Sequence, residues 1–355
     1  MTRLDYSRFA KNFLKRIGSY GYLYSPLNAQ IEITSRCNAR CVFCSIWQKE
    51  YQKDLDQEMT TDQIKRIIDD FSRLGVMVLS FTGGEPTLRK DLPELLRYSR
   101  SKGIMNAMAT NGFLLYDMIK KGQLDGVEWI MVSLDWPDAA RHNKYRQLEV
   151  FDRAIKGIRA AQLERKQVLI STVITKENIN YMEEMCKLAR NIGVMIEMLP
   201  CEDIIRETEK MDHVVNEIES FIPDLSQYAN EIRRLNRIYP NLMTDDVTAM
   251  VIEAGGFGYQ KILRCVMAES YLFVRYNGEV VFPCKLHPVL KVDVTKQSLY
   301  DVYYSLEARK IMDKKDDFPF CKGCRFGCGI ATSIPANLST LYEKYIRGFF
   351  NGNMF

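Results

Sequence analysis

No stretch of this sequence runs apolar for the ~18 residues that a membrane-spanning helix needs, which excludes such a span. Charge of one sign is equally scarce. Lys and Arg number 49 against 45 Asp and Glu, and a net charge of +4 is too mild to argue for a nucleic-acid partner. The chain lacks a secretory signal, so disulfides are disfavoured and a cytoplasmic, reducing compartment is expected. What remains is an ordinary globular composition, 46% hydrophobic and 26% charged. Its 355 residues have room for one large domain plus a smaller one, or for two medium ones.

Cysteine is plentiful, with ten residues, and in a reducing compartment these point to metal or redox chemistry. Cys37, Cys41 and Cys44 form C-x3-C-x2-C on a short loop after an apolar strand pattern with Ile31 and Ile33. Thiolates so placed can face one point and are soft ligands for an iron–sulfur cluster or zinc. There are three of them and not four. A cubane held by three thiolates keeps one iron open to a small molecule, as a catalytic zinc keeps one position open. A zinc knuckle would want a fourth Cys or His nearby, and the nearest histidine is His142.

Strand patterns at 30–34, 76–81, 104–109, 128–134, 167–174 and 194–199 alternate with helical patterns at about 60–73, 91–102, 113–121, 151–164 and 180–191. Thr60 and Asp91 are placed as N-caps. Gly75, Gly103 and Gly193 each stand just past a helix, where glycine relieves a left-handed turn. Six β-α units in a row predict parallel strands with right-handed crossovers, partly closed as a (β/α)6 barrel or open as a doubly wound sheet. Either way the site belongs at the carboxyl ends of the strands, where the Cys37 loop lies.

A second motif, Thr82-Gly83-Gly84-Glu85-Pro86, directly follows the second strand. Its glycines allow a close backbone approach or a positive φ, Pro86 stiffens the exit, and Glu85 adds one carboxylate. C-x3-C-x2-C at strand one, with Phe43 before the last cysteine, together with G-G-E-P at strand two, resembles the radical S-adenosylmethionine (radical SAM) superfamily. The resemblance covers roughly residues 30–200 and implies a partial (β/α)6 TIM-like barrel of the α/β class. It implies a 4Fe-4S cluster on Cys37, Cys41 and Cys44 whose open iron binds the amino and carboxylate groups of SAM. Phe43 would lie near the adenine, and Gly83, Gly84, Glu85 and Pro86 near the SAM amino group. Weaker matches at later strand ends add Asn111, Ser133 and Asp135 as cofactor-binding candidates. Ser171, Thr172, Thr175 and Asn178 read more simply as turn or cap residues. Cys201, after the sixth strand, is a candidate hydrogen-atom donor, and Glu197, inside that strand, a candidate cavity carboxylate. Cysteine so placed is more often a small buried hydrophobe, and Cys186 reads as core.

The β-α rhythm breaks at about 204–259, which reads as helices over 204–221, 225–238 and 245–254 ended by Gly255-Gly256. His213 in this bridge reads as a solvated helix residue. Beyond it, strand patterns at 270–276 and 279–283 flank Asn277-Gly278, a strong hairpin signal, and a helix follows over 298–315. Cys265, Cys284, Cys321, Cys324 and Cys328 punctuate this unit. A four-thiolate cage with a C-x2-C knuckle suits zinc. The order hairpin, helix, C-x2-C also resembles the SPASM or twitch auxiliary-cluster modules of radical SAM enzymes, over residues 263–330. Two departures stand out. Five residues separate Gly278 from Cys284 where that pattern usually has four, and the knuckle lacks the longer two-cluster run. Five cysteines cannot fill two cubanes. One auxiliary 4Fe-4S cluster is expected, on Cys265, Cys284, Cys321 and Cys324, with Cys328 as the alternative ligand and His287 nearby.

The expected organisation is an N-terminal amphipathic helix and linker (1–28), a radical SAM core (29–203), a helical bridge (204–262), an auxiliary-cluster domain (263–333) and a C-terminal helix (334–355). The resemblance implies reductive cleavage of SAM to a 5′-deoxyadenosyl radical, which abstracts hydrogen from an unactivated substrate carbon. A ferredoxin- or flavodoxin-type protein would donate the electron, and the auxiliary cluster would accept one or ligate substrate. The terminal helix patterns, with Phe9, Phe13 and Ile17 at one end and Leu341, Tyr345 and Phe349 at the other, most simply pack on the core. Together they tilt the substrate expectation toward a lipid or other membrane-associated molecule, with peripheral contact at the inner membrane face. Peptide maturation and sugar-alcohol oxidation are alternatives within the superfamily. The former would need a partner protein, because 36 residues before Cys37 are too few for a leader-peptide-binding domain. Bond-forming radical chemistry shares the same first step. An iron–sulfur electron-transfer or sensor protein is the alternative of another class, and the open-iron triad with Gly83-Gly84-Glu85 argues against it.

Overall fold

The computed structural model describes residues 26–44, 46–47, 57–201, 221–259, 263–314 and 317–334. The expected terminal helices, nearly all of the 204–221 helix, and His213 lie outside the described residues.

Apolar residues at every second position build the central strands β1 (Asn28–Thr34), β2 (Val78–Gly83), β3 (Met105–Thr110), β4 (Trp129–Ser133), β5 (Gln167–Ile174) and β6 (Met195–Pro200). They pair in parallel, each with its neighbour in sequence, as a partial TIM-like barrel. Ile31, Ile33, Leu79, Phe81, Ile130, Val132, Ile170 and Ile196 belong to the buried core shared with the outer helices. The alternate positions, among them Gln30, Glu32, Ser80, Thr82, Ser133, Ser171 and Glu197, therefore take the opposite, concave face. An apolar outside and a polar inside are what a barrel needs to enclose a site.

The covering helices are α1 (Thr61–Leu74), α2 (Leu92–Ser101), α3 (Leu115–Lys120), α4 (Ala139–Arg146), α5 (Phe151–Leu163) and α6 (Met182–Ile192). Thr60 starts α1 with a reciprocal capping box to Gln63, as its sequence position predicts. Gly75, Gly103 and Gly193 take the expected positive φ of 86°, 77° and 79°. Asp91 departs from expectation, making no side-chain cap to α2. Its carboxylate is drawn instead to the Thr61 hydroxyl at 2.6 Å and Arg89 Nε at 2.7 Å, because a cation and a donor outcompete one amide. Helix α4 was not expected, and its buried residues are His142, Tyr145 and Arg146.

After the bridge helices α7 (Leu225–Asn236) and α8 (Asp246–Glu253) and the single turn α9 (Met267–Ser270) come β7 (Tyr271–Val274), β8 (Glu279–Phe282) and β9 (Leu290–Asp293). The hairpin does not stand apart from the barrel. β7 pairs in parallel with β1, from Asn28↔Tyr271 to Ile31↔Val274, and β8 and β9 follow antiparallel. The sheet therefore runs β6-β5-β4-β3-β2-β1-β7-β8-β9. The helix expected over 298–315 divides into α10 (Leu299–Tyr304) and α11 (Leu306–Asp313), since Ser305 caps the second by accepting the Ala308 amide. The last helix, α12 (Gly327–Ser333), reaches the far edge of the sheet. A Cβ on Gly327 would fall 2.7 Å from Leu199 Cδ1 of β6, so the glycine lets the helix lie close against that side chain. Residues bearing the second cysteine set thus span the open side of the barrel. Among the described residues no helix is long and apolar enough to cross a membrane.

Candidate active site

The three-cysteine loop leaves β1 at the carboxyl end of the sheet and is fastened by backbone contacts that its neighbours supply. The Gly84 amide donates to Thr34 O at 2.8 Å and the Glu85 amide to Arg36 O at 2.7 Å. A Cβ on Gly83 would lie 2.1 Å from Thr34 O, and one on Gly84 2.2 Å from Arg36 O. The two glycines of the second motif therefore serve a close approach to the cysteine loop's own backbone. On the other side, Arg40 N–H donates to Arg146 O and Val42 N–H to Tyr145 O, both at 3.1 Å. The carbonyl end of α4 holds the middle of the loop.

Glu85 was expected at the cofactor, but its side chain turns into the protein and is 1% exposed. Oε1 accepts the Thr87 amide and hydroxyl and the Thr110 hydroxyl, while Oε2 accepts the Asn111 amide at 2.7 Å. Burial raises its pKa above the ordinary carboxylate value, and these donors pull it back. It ties the ends of β2 and β3 together. Asn111 carries the tie onward, donating from Nδ2 to Asn38 Oδ1 at 2.7 Å, beside Cys37.

Asp135 also departs from the expected cofactor contact. It is fully buried, with Oδ2 2.7 Å from Arg146 Nε and Oδ1 accepting the Val173 amide. Its own amide donates to His142 Nδ1 and its carbonyl accepts Asn178 Nδ2. Packing saturates this carboxylate because a buried charge must be paired. Ser133, one pleat earlier, is half-buried on the concave face and remains placed for a ligand.

Burial pushes the Cys41 thiol up to about 12 and the Cys37 thiol to about 11. Arg146 is the cation that pulls both down. Ligand thiols must lose their protons, so a buried guanidinium beside them favours the form that binds metal. The Arg146 guanidinium carbon sits 5.6 Å from the Phe43 ring centroid, and Phe43 lies 5.6 Å from the Tyr145 ring. Among the described residues no three Cys, His, Asp or Glu side chains gather at single-ion distances. A cubane places each thiolate on a separate iron, so its ligands stand wider apart than those of one ion. Three convergent thiols on a braced loop, with a cation beside them, fit a 4Fe-4S cluster with one open iron.

On the concave wall, Ser133, Ser171 and Glu197 lie in register across β4, β5 and β6. The Ser171 hydroxyl donates to Glu197 Oε1 at 2.9 Å, and burial raises the Glu197 pKa above the ordinary value. Cys201 is buried beyond β6, near enough to Tyr145 for its charge to act on that phenol. Cys186 lies in the core, as expected.

The second cysteine set also comes together. Burial pushes the Cys265 thiol up to about 12, and the charges acting on it are those of Cys324, Cys284 and Cys321. Those four are the expected ligands. Cys328 acts instead on Tyr271, whose hydroxyl donates to Gln30 Oε1 on the barrel wall. Met267, Leu286 and Phe326 form the apolar lining around Cys265, Cys284, Cys324 and Cys328. The knuckle is held from the bridge: Phe257 N–H donates to Cys324 O and Gly323 N–H to Phe257 O, both at 2.8 Å. A Cβ on Gly256 would meet Cys324 O at 2.4 Å, which explains a glycine beyond its role in ending α8. His287 stacks on Phe320 at 4.7 Å.

The residues that sequence reasoning missed are Asn38 and Arg146. Asp138, accepting the Arg141 amide at the start of α4, was the signal that could have found the helix ending at Arg146.

A partial parallel barrel with three thiols at the mouth of its first strand defines a radical SAM domain, and the family model described as "Radical SAM superfamily" matches residues 31–189. The chain thus carries a radical SAM domain over these residues and is similar to enzymes of that superfamily. It is similar to the AdoMet-dependent heme synthase of Methanosarcina barkeri, 26% identical over 310 residues, covering 83% of this chain and 87% of that protein. It is 36% identical over 176 residues to the Fe-coproporphyrin III synthase of the same organism, covering 49% of this chain and 41% of that protein. It is 31% identical over 183 residues to a probable GTP 3',8-cyclase of Pyrococcus horikoshii, covering 51% and 58%. The chain thus spans about half the length of these last two relatives. Streptococcus suis SuiB bound to S-adenosylmethionine shares the fold with a TM-score of 0.63 at 19% identity, over 94% of this chain and 79% of that one. So does anSMEcpe with bound AdoMet, at 0.61 and 16%, over 93% and 96%.

Proposed function

We propose that this protein reductively cleaves S-adenosylmethionine and abstracts a hydrogen atom from an unactivated substrate carbon, with one auxiliary 4Fe-4S cluster accepting an electron or ligating substrate. The bound cluster and SAM supply the one-electron chemistry, and the chain's residues bind, orient and shield it. Cys37, Cys41 and Cys44 hold the cluster. Gly83 and Gly84 bring the β2 end against the loop, and Asn111 fixes Asn38. Phe43, Pro86 and Ser133 remain at the mouth as SAM contacts. Glu197, kept closer to its neutral form by burial and bonded to Ser171, faces the substrate space with Cys201 further out. Cys265, Cys284, Cys321 and Cys324 hold the auxiliary cluster.

The observation that carries this reading is the bracing of the three-cysteine loop from both sides, by the β2–β3 ends and by α4. Anaerobic reconstitution with iron and sulfide, followed by dithionite and SAM, tests it. Formation of 5′-deoxyadenosine, lost in the Cys37→Ala protein, is the expected result. A fully loaded, reducible protein that yields none would be an electron-transfer or sensor protein instead.

Two substrate classes have support. The amphipathic patterns near 5–19 and 338–349 favour a lipid or other membrane-associated molecule, a peripheral position at the inner membrane face, and a ferredoxin- or flavodoxin-type donor. The relative matched over 87% of its length is named a heme synthase, which favours a tetrapyrrole. Heme formation coupled to 5′-deoxyadenosine would select the second. Liposome binding lost on deleting residues 1–20 would select the first.

A further inference from the structure

The Asp135–Arg146 pair beneath the cysteine loop is not accounted for by stability alone. Both side chains are buried, Asp135 fully and Arg146 at 7% exposure, with Arg146 Nε 2.7 Å from Asp135 Oδ2. Desolvating two charges costs about as much as their attraction returns, so a buried pair is weak ground for stability. Three further bonds hold Asp135: to the Val173 amide at 3.1 Å, to His142 Nδ1 at 3.2 Å and to Asn178 Nδ2 at 3.0 Å. Only the first reaches the carboxylate, while the other two hold the Asp135 backbone amide and carbonyl, so the residue is fixed from β5, α4 and the turn before α6. Arg146 is not so enclosed. Its guanidinium lies over Phe43, and its charge acts on Cys37 and Cys41 and is acted on by Cys41 and Cys44. Its carbonyl meanwhile accepts the Arg40 amide of the loop. One residue thus holds the loop's backbone and lays a cation over Phe43, between Val42 and Cys44 in the loop.

We propose that Arg146, aimed by Asp135, is the counter-charge of the three-thiolate site and sets the potential at which its cluster accepts an electron. The inference rests on the radical SAM reading. A cluster gains one negative charge on reduction, and a buried cation stabilises the more negative state, which raises the potential. Asp135 opposes that effect through its own charge while holding the guanidinium in place. The two partners therefore act with opposite sign.

EPR-monitored redox titration of the reconstituted full-length protein tests this, the triad cluster being identified as the signal that added SAM perturbs. Arg146→Gln should lower its midpoint so that the reduced fraction at a fixed potential falls about tenfold, about 59 mV for a one-electron couple. Arg146→Lys keeps the charge and should recover most of that loss. Asp135→Asn should move the midpoint the other way. Iron and sulfide contents equal to wild type would show that the site is still built. An unmoved midpoint in Arg146→Gln, or shifts of the same sign in both variants, would overturn the proposal. If Arg146→Gln loses iron, a raised midpoint in Asp135→Asn with that of Arg146→Lys near wild type keeps the test, and a lowered midpoint in Asp135→Asn overturns the proposal. Failure of the radical SAM reading shows separately, as a wild-type cluster whose signal SAM does not perturb.

Discussion

The side-chain amide of Asn111 donates to the side-chain carbonyl of Asn38 at 2.7 Å, joining the end of β3 to the residue after Cys37. Asn111 is itself locked, since its Oδ1 accepts the Phe113 amide and its own amide is held by Glu85. The cysteine loop thus borrows rigidity from a turn that carries no metal ligand. Asn111→Ala strands Asn38 and should loosen the loop by about 1–2 kcal/mol, a factor of roughly 5–30 in SAM affinity. Equilibrium dialysis of SAM against reconstituted protein measures this, and iron content should stay near wild type. An unchanged affinity would mean that the loop is held well enough without this bond.

The C-terminal thiols offer four expected auxiliary ligands and one alternative. Charges of Cys324, Cys284 and Cys321 act on Cys265, and that of Cys328 acts on Tyr271. Wild-type protein should hold about eight irons per chain, and Cys→Ser at 265, 284, 321 or 324 should remove about four of them. Cys328→Ser should keep all eight or nearly so. Iron loss at Cys328 with retention at one of the other four would exchange their roles.

Much of this was legible because strand alternation and cysteine spacing are local signals. The six parallel strands, the Thr60 capping box and the position of the Cys37 loop follow from residues close together in the chain. Helix α4 was hidden although its buried positions 142, 145 and 146 have helical spacing. They are His, Tyr and Arg, which a hydropathy pattern does not count as a core face. The fates of Glu85 and Asp135 were illegible for a different reason. Which way a carboxylate turns depends on donors supplied by other elements, here Thr110 and Asn111 for one and Val173 and Arg146 for the other. Likewise Asn277-Gly278 announces a hairpin, but nothing local says that its first strand pairs with β1.

Gly84 is required by contact rather than by flexibility. The atoms that a Cβ would meet are backbone, Arg36 O at 2.2 Å and Ser35 O at 2.7 Å, and backbone of the ligand loop cannot step aside cheaply. Gly84→Ala should cost about 1–3 kcal/mol or more by overpacking and should lower iron uptake along with Tm. Gly193→Asn is the control. Gly193 has a positive φ of 79° and only Gln162 Nε2 within 4 Å, at 3.7 Å, so iron uptake should be unaffected.

His142 links the site to pH. Burial first, and the Arg146 charge second, hold its pKa down to about 2. Its Nδ1 accepts the Asp135 amide, so the folded protein needs the neutral ring. In the unfolded chain the imidazole takes up a proton near pH 6.5. The folded pKa is the depressed one. The stability gained by keeping His142 neutral is therefore complete above about pH 6.5 and is lost as pH falls toward the folded value. The loss should approach about 1.4 kcal/mol per pH unit below that point. His142→Asn keeps an acceptor for the Asp135 amide but removes the titration. Urea unfolding of the reduced chain at pH 7.5 and pH 5.5 should show a steeper acid decline in wild type than in His142→Asn, even where the variant is less stable throughout. Arg146→Gln should also flatten the decline, by withdrawing the second cause of the depressed pKa. Equal slopes in all three proteins would show that another group governs the acid limb.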